Sequence, residues 1–212
     1  MDRGKEYLQA SESRRNSEVN IEILMTMYTP DSIKTKAQNK GVSILSIGSG
    51  GSEEIPAIDK IFPKVKYTGI DSNPSAINLS RNRYPNHQLD FIEADATKPE
   101  NIPADQDLVL IRKPQVSGSS LEEYLQPEMI ETWKKIFSNG TEALGPDGYM
   151  IITTTTIQEM EAVMNYLQSS EPSLESALGR ELFHQIDLPQ EPVIGNEDKF
   201  ISVLKKNKQS TV

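Results

Sequence analysis

Val42-Ser43-Ile44-Leu45-Ser46-Ile47-Gly48-Ser49-Gly50-Gly51-Ser52-Glu53-Glu54 is the stretch that decides the fold. Its first six residues are apolar enough to form a buried strand. Gly48, Gly50 and Gly51 then let the chain turn sharply, and let bare backbone approach a ligand. A helix is predicted over Glu53–Phe62, with Ile55, Ile58, Ile61 and Phe62 on one face and Ser52 placed to cap it. A strand running through a glycine turn into a helix is the opening half of a βαβ unit.

The alternation continues downstream. Strands are predicted at Lys66–Ile70, Gln88–Glu93, Gln106–Arg112 and Tyr149–Thr154. A helix is expected at Pro74–Tyr84. A longer one from Pro127 turns Met129, Ile130, Trp133, Ile136 and Phe137 inward. The Thr156-x-x-Glu159 capping box opens another, with Met160, Val163, Met164 and Leu167 as its buried stripe. Two last strands, about Glu181–Ile186 and Phe200–Lys205, have no helix between them and must pair antiparallel if they are neighbours. The fold class is α/β: a Rossmann-like, doubly wound, mostly parallel seven-stranded sheet with an antiparallel last strand.

Upstream, Val19, Ile23 and Met27 with Leu24 and Tyr28 predict one face of a helix over Ser17–Thr29; Pro30 stops it, and a second helix starts at Asp31. Residues 1–41 therefore read as an N-terminal helical segment, a candidate lid through Tyr7, Met27 and Tyr28. Residues 42–212 form the main domain.

Composition narrows the function. The 212 residues are 36% hydrophobic with a net charge of -9, and the -10 carried by residues 41–212 argues against a nucleic-acid partner. The absence of cysteine excludes disulfide scaffolds and thiol catalysis. His87 and His184 lie far apart in sequence without ligand-spaced neighbours, so no metal site is read and neither is assigned a catalytic role. The longest apolar runs, Leu108–Ile111 and Tyr149–Ile152, fall far short of the ~18 residues a membrane span needs. The N-terminus has no signal-like apolar segment. A cytoplasmic protein without a membrane partner is expected.

Three features after three successive strands point to a nucleoside. The glycine turn follows the first strand. Asp71, followed by Ser72, comes 23 residues after Gly48, just past the second strand, where a carboxylate can accept both ribose hydroxyls of an adenosine-containing cofactor. Asp95 ends the third strand, where it can accept an adenine amino group while the Ala96 amide faces a ring nitrogen.

As an ordered set, Ser43–Gly50, Tyr67–Asp71, Ala94-Asp95-Ala96, Asp107–Leu110 and Leu144–Tyr149 resemble the class I S-adenosylmethionine-dependent methyltransferases over about residues 42–206. The resemblance implies S-adenosylmethionine as cofactor. It places Gly48, Ser49 and Gly50 against the methionine part, Asp71 on the ribose, and Asp95 and Ala96 on the adenine. Three positions depart from the family's pattern. Ser46 stands where an acid often precedes the first glycine, and Ser52 replaces the third loop glycine. Arg112-Lys113-Pro114 follows the fourth strand.

The cofactor's sulfonium already activates its methyl group, so the protein has mainly to align an acceptor, and no catalytic residue is named. A small-molecule methyl acceptor is expected near Arg112 and Lys113, which would hold an anionic group, with Tyr124 over it. Arg112 also borders the cofactor position. The bland alternative for Arg112 and Lys113 is pairing with Glu122 or Glu123. Rival readings are an aminopropyl-type transferase of the same fold, which would use a decarboxylated cofactor, and a cofactor-binding module without turnover. A nicotinamide-dependent enzyme would need glycine at Glu53, and a phosphate-loop NTPase needs a Gly-Lys-Ser/Thr that is absent.

Overall fold

The computed structural model describes residues 18–85, 88–114, 127–178, 183–185 and 200–207. In chain order the elements are α1 (18–28), α2 (Asp31–Asn39), β1 (Val42–Ile47), α3 (Ile55–Ile61), β2 (Val65–Asp71), α4 (Pro74–Arg83) and β3 (Leu89–Glu93). They continue as β4 (Gln106–Arg112), α5 (Pro127–Ala143), β5 (Leu144–Thr154), α6 (Ile157–Ser170), β6 (Leu174–Ser176), β7 (His184–Gln185) and β8 (Phe200–Lys206).

One sheet runs β3-β2-β1-β4-β5-β8-β6, with β7 also on β8. β1 to β5 are parallel, and β8 is antiparallel to β5, β6 and β7. Each parallel step demands a crossover: α3, α4 and α5 supply three of the four, and the step from β3 to β4 carries only a 3-10 turn at Pro99–Asn101. Ile44 of β1 belongs to the core under α1 to α4. Leu45 and Ile47 join the opposite core, with Phe137 of α5 and Met160, Val163, Met164 and Leu167 of α6. At about 1.5–3 kcal/mol per fully buried aliphatic or aromatic side chain, each of these faces is worth many times the helix propensities involved. Thr156 caps α6 in the expected box with Glu159, and Asn73 caps α4 by accepting the Ser75 amide.

Four features differ from expectation. The sheet has an eighth strand, Leu174–Ser176. It is three residues long and half-exposed, so no apolar run announces it. In α1 the buried residues are Ile21, Leu24 and Met25, whereas Val19 is 48% and Met27 65% exposed. Two apolar stripes overlap on that helix, and the sheet selects the one that spaces i, i+3, i+4. Ser52 does not cap α3. Glu54 holds that position without a side-chain cap bond, while Ser52 takes φ +52 and its hydroxyl accepts from Ser80 Oγ at 3.0 Å. Trp133, expected in the core, is only half-buried and also faces a cavity.

Tyr7, His87 and Tyr124 lie outside the described residues, as does half of Glu181–Ile186. Among the described residues no helix is long and apolar enough to cross a membrane.

Candidate cofactor and active site

The strand order reverses between β1 and β4, which opens a crevice beyond the carboxyl ends of β1 to β4. The glycine loop is pinned at its mouth. Gly48 and Ser49 both donate their N–H to Ile70 O of β2, at 2.8 and 3.0 Å. Gly48 takes φ +67 and Gly50 φ +52, conformations that cost an L side chain about 1–2 kcal/mol.

Asp71 closes the loop from the other side. Its Oδ2 accepts the Gly50 N–H at 2.8 Å, and its Oδ1 accepts the Asn73 N–H at 2.8 Å. The Asp95–Thr97 loop is held as firmly. Asn101 Nδ2 donates to Asp95 O at 3.0 Å, and Asn139 Nδ2 of α5 donates to Ala96 O at 2.8 Å. Asp95 Oδ1 accepts from Thr97 Oγ1 at 2.7 Å and from Thr97 N at 2.9 Å, and these bonds hold its carboxyl below the usual carboxylate range.

Gly48, Asp71, Ser72, Asp95, Ala96, Arg112 and Lys113 line one cavity of about 410 Å³, inside the ~300–1,000 Å³ of small-molecule sites. Ile47, Ile70, Ala94 and Ile136 make its apolar walls; Met129 and Trp133 of α5 border it too. The larger hollow, about 680 Å³ beside Arg81, Tyr84 and Lys66, opens at the amino ends of β2 and β3, away from these carboxylates. Ser49 and Gly50 are not in the wall. The Ser49 side chain is buried below the loop, and Gly50 acts through its amide on Asp71.

Arg112 pairs with the acids that follow the glycine turn; Glu122 and Glu123, its partners in the alternative reading, lie outside the described residues. Arg112 Nη1 lies 3.3 Å from Glu54 Oε2 and 3.9 Å from Glu53 Oε2, and its side chain is only 10% exposed. Glu54 is fully buried, and its Oε1 accepts from Ser46 Oγ at 2.6 Å and from Tyr67 Oη at 2.7 Å. Burial, then the Glu54 charge, pushes the Tyr67 hydroxyl well above its ordinary 10.0, which keeps it a donor. Lys113 takes φ +50, donates its N–H to Thr153 O at 2.7 Å, and lines the cavity. Sequence reasoning missed Glu54, Thr97 and the cavity role of Trp133. The aromatic at 133 falls on the inward stripe of α5, and that stripe runs past the core to the crevice.

Residues 38–208 match the family described as a methyltransferase domain. The chain belongs to the methyltransferase domain family. This methyltransferase is of the class I S-adenosylmethionine-dependent kind, and S-adenosylmethionine is its cofactor. No curated protein matches the sequence.

Among solved structures it is similar to the plantazolicin methyltransferase BpumL in complex with a desmethyl-plantazolicin analogue and SAH. The identity is 16% over 96% of this chain and 92% of that one, with a TM-score of 0.60. It is also similar to the N-methyltransferase NodS from Bradyrhizobium japonicum WM9 with S-adenosyl-L-homocysteine, at 15% identity over 93% and 98% of the chains and a TM-score of 0.58. A third is precorrin-6y C5,15-methyltransferase from Geobacter metallireducens GS-15, at 14% over 84% and 87% and a TM-score of 0.53. At such identities these neighbours establish the shared fold alone.

The residues of the crevice fit the cofactor. Two carboxylates and Gly48 share one cavity with apolar walls, and a Cβ at Gly48 would project toward Trp133 Cη2, 3.6 Å away, narrowing that space.

Proposed function

We propose that this methyltransferase acts on a small-molecule acceptor, with its cofactor held along the ends of β1, β2 and β3. The reading rests on one observation: Asp71, Asp95 and Gly48, contributed by three different strands, line a single cavity. Asp71 accepts the ribose hydroxyls, Asp95 and the Ala96 amide take the adenine edge, and the Gly48 backbone borders the methionine part, with Ser72 flanking the ribose acid. When bound, the cofactor supplies an electrophilic methyl group on a sulfonium. The protein's contribution is alignment and exclusion of water, with Trp133 and Ile136 forming the dry wall opposite Gly48.

The acceptor belongs beyond β4. We assign Lys113, which lines the cavity beyond β4, to an anionic group on it; Tyr124, the other residue expected there, lies outside the described residues. The net charge of -10 over residues 41–212 supports a small acceptor over a polyanion. The division into a helical segment 1–41 and a cofactor-binding domain 42–212, and a cytoplasmic location, belong to the same reading.

The test has two arms. Calorimetry should detect S-adenosylmethionine and its demethylated product, and no NAD; binding of NAD alone would sink the reading. Incubation of the protein and isotope-labelled methyl donor with metabolite extracts, followed by mass spectrometry, should transfer label to a small molecule. Label appearing only in RNA or protein would overturn the acceptor assignment.

A further inference from the structure

Glu54 is fully buried, yet three strands converge on its carboxylate: Ser46 Oγ from β1, Tyr67 Oη from β2 and Arg112 Nη1 from β4. Removing a carboxylate from water costs several kcal/mol, so a site that buries one must surround it with donors. Here the donors come from the strand ends on either side of the glycine loop, and the one that reaches the cavity is Arg112.

We propose that Glu54 is the positioning residue that sets Arg112 against the amino-acid end of the cofactor, and that this pair selects the carboxylate-bearing nucleoside over a decarboxylated one. The inference rests on the nucleoside reading above. Asp71 and Asp95 follow β2 and β3, on one side of the glycine loop, and β4 lies on the other. A nucleoside gripped by the two aspartates must send its tail past Gly48 toward β4, where Arg112 lines the cavity.

A guanidinium is a planar fork of five donors that suits a carboxylate. Glu54 clamps it through Nη1 from beneath. Glu53 Oε2, 3.9 Å from the same nitrogen on a partly exposed side chain, puts an acid beside the arginine. Ser46 fits the same picture. Where the family often carries an acid before the first glycine, this chain places a hydroxyl that donates to the acid of residue 54.

The test compares three nucleosides by calorimetry: S-adenosylhomocysteine, decarboxylated S-adenosylmethionine and 5′-methylthioadenosine, which has no amino-acid tail. The wild-type protein should bind S-adenosylhomocysteine roughly tenfold or more tighter than either of the others. Arg112→Gln should abolish that preference and leave methylthioadenosine unchanged. Arg112→Lys, the milder variant, should lose part of it. Glu54→Gln, which keeps the shape of the side chain and removes its charge, should lose it as well.

No preference in the wild type would overturn the inference, as would an equal loss for all three nucleosides in the variants, or no loss in any. Failure of the wild type to bind any of the three would overturn the cofactor reading and this inference together.

Discussion

Asp71 Oδ2 accepts the Gly50 N–H at 2.8 Å, so the carboxylate that ends β2 and the glycine loop are one mechanical unit. The same carboxylate also accepts Asn73 N–H, which seats the capping residue of α4. Asp71→Ala should therefore do two things. It removes the acceptor for the ribose, worth about 1.5–3 kcal/mol for hydrogen bonds to a charged group, and so weakens S-adenosylhomocysteine binding by about 10–100-fold. It also loosens the loop, which a fall of a few degrees in Tm would record. Asp71→Asn should keep more of the stability than of the affinity. Wild-type affinity in both variants would remove Asp71 from the site.

Gly69 sits beneath the loop. A Cβ there would stand 3.0 Å from Ser49 Oγ and 3.1 Å from both Cε1 and Oη of Tyr67. Gly69→Ala should push the loop and the Tyr67 ring at once, costing about 1–3 kcal/mol in overpacking and weakening cofactor binding with it. Gly50→Ala is the contrasting variant, because nothing lies within 4 Å of its Cβ and the cost is φ +52 alone, about 1–2 kcal/mol. Urea denaturation and calorimetry on the two should separate crowding from backbone strain. Equal effects of the two variants on affinity would argue that the loop feels only its own φ angles.

Tyr67 gives the protein an alkaline sensitivity. In the unfolded chain its hydroxyl ionises near 10, whereas burial and the Glu54 charge hold the folded value well above 10.0. Above pH 10 the unfolded state thus binds fewer protons than the native state, and stability falls as pH rises, by at most about 1.4 kcal/mol per unit from this group. Tyr67→Phe should be less stable at neutral pH, by about 1–3 kcal/mol for the lost bond to Glu54, yet decline more gently from about pH 10 to 12. Parallel alkaline slopes in the two proteins would contradict the assignment.

What could be read from the chain beforehand divides along local and non-local lines. The capping box at Thr156, the bounds of β1 and β4, and the pairing of β7 with β8 all follow from short-range pattern. That Asp71 and Asp95 share one rim of the sheet was legible too, since Asp71 ends β2, Asp95 follows β3 by two residues, and both line the same cavity. The face of α1 was not, since Ile21 and Met27 are equally apolar and only the sheet decides between them. Ser52 looked like a cap, but the loop carries it into contact with Ser80 of α4, 28 residues on. Glu54 is the deepest case. Adjacent to Glu53 in a polar run it reads as a solvated acid, and its burial exists only because β1, β2 and β4 each bring a donor to it.

Trp133 is the only tryptophan in the chain, and it borders the cavity, with its Cη2 3.6 Å from where a Gly48 Cβ would lie. An indole at that position changes its surroundings whenever the crevice fills. Titration with S-adenosylhomocysteine should therefore change the intrinsic fluorescence saturably, at the concentration calorimetry assigns to binding, while NAD should leave it flat. Trp133→Phe should abolish the signal. Because the ring also packs against Phe137, with centroids 6.1 Å apart, the smaller side chain should cost about 1–3 kcal/mol of stability and only a few-fold in affinity. A wild-type titration in which calorimetry saturates but the fluorescence never moves would place the cofactor away from α5, and with it away from the cavity shared by Asp71 and Asp95.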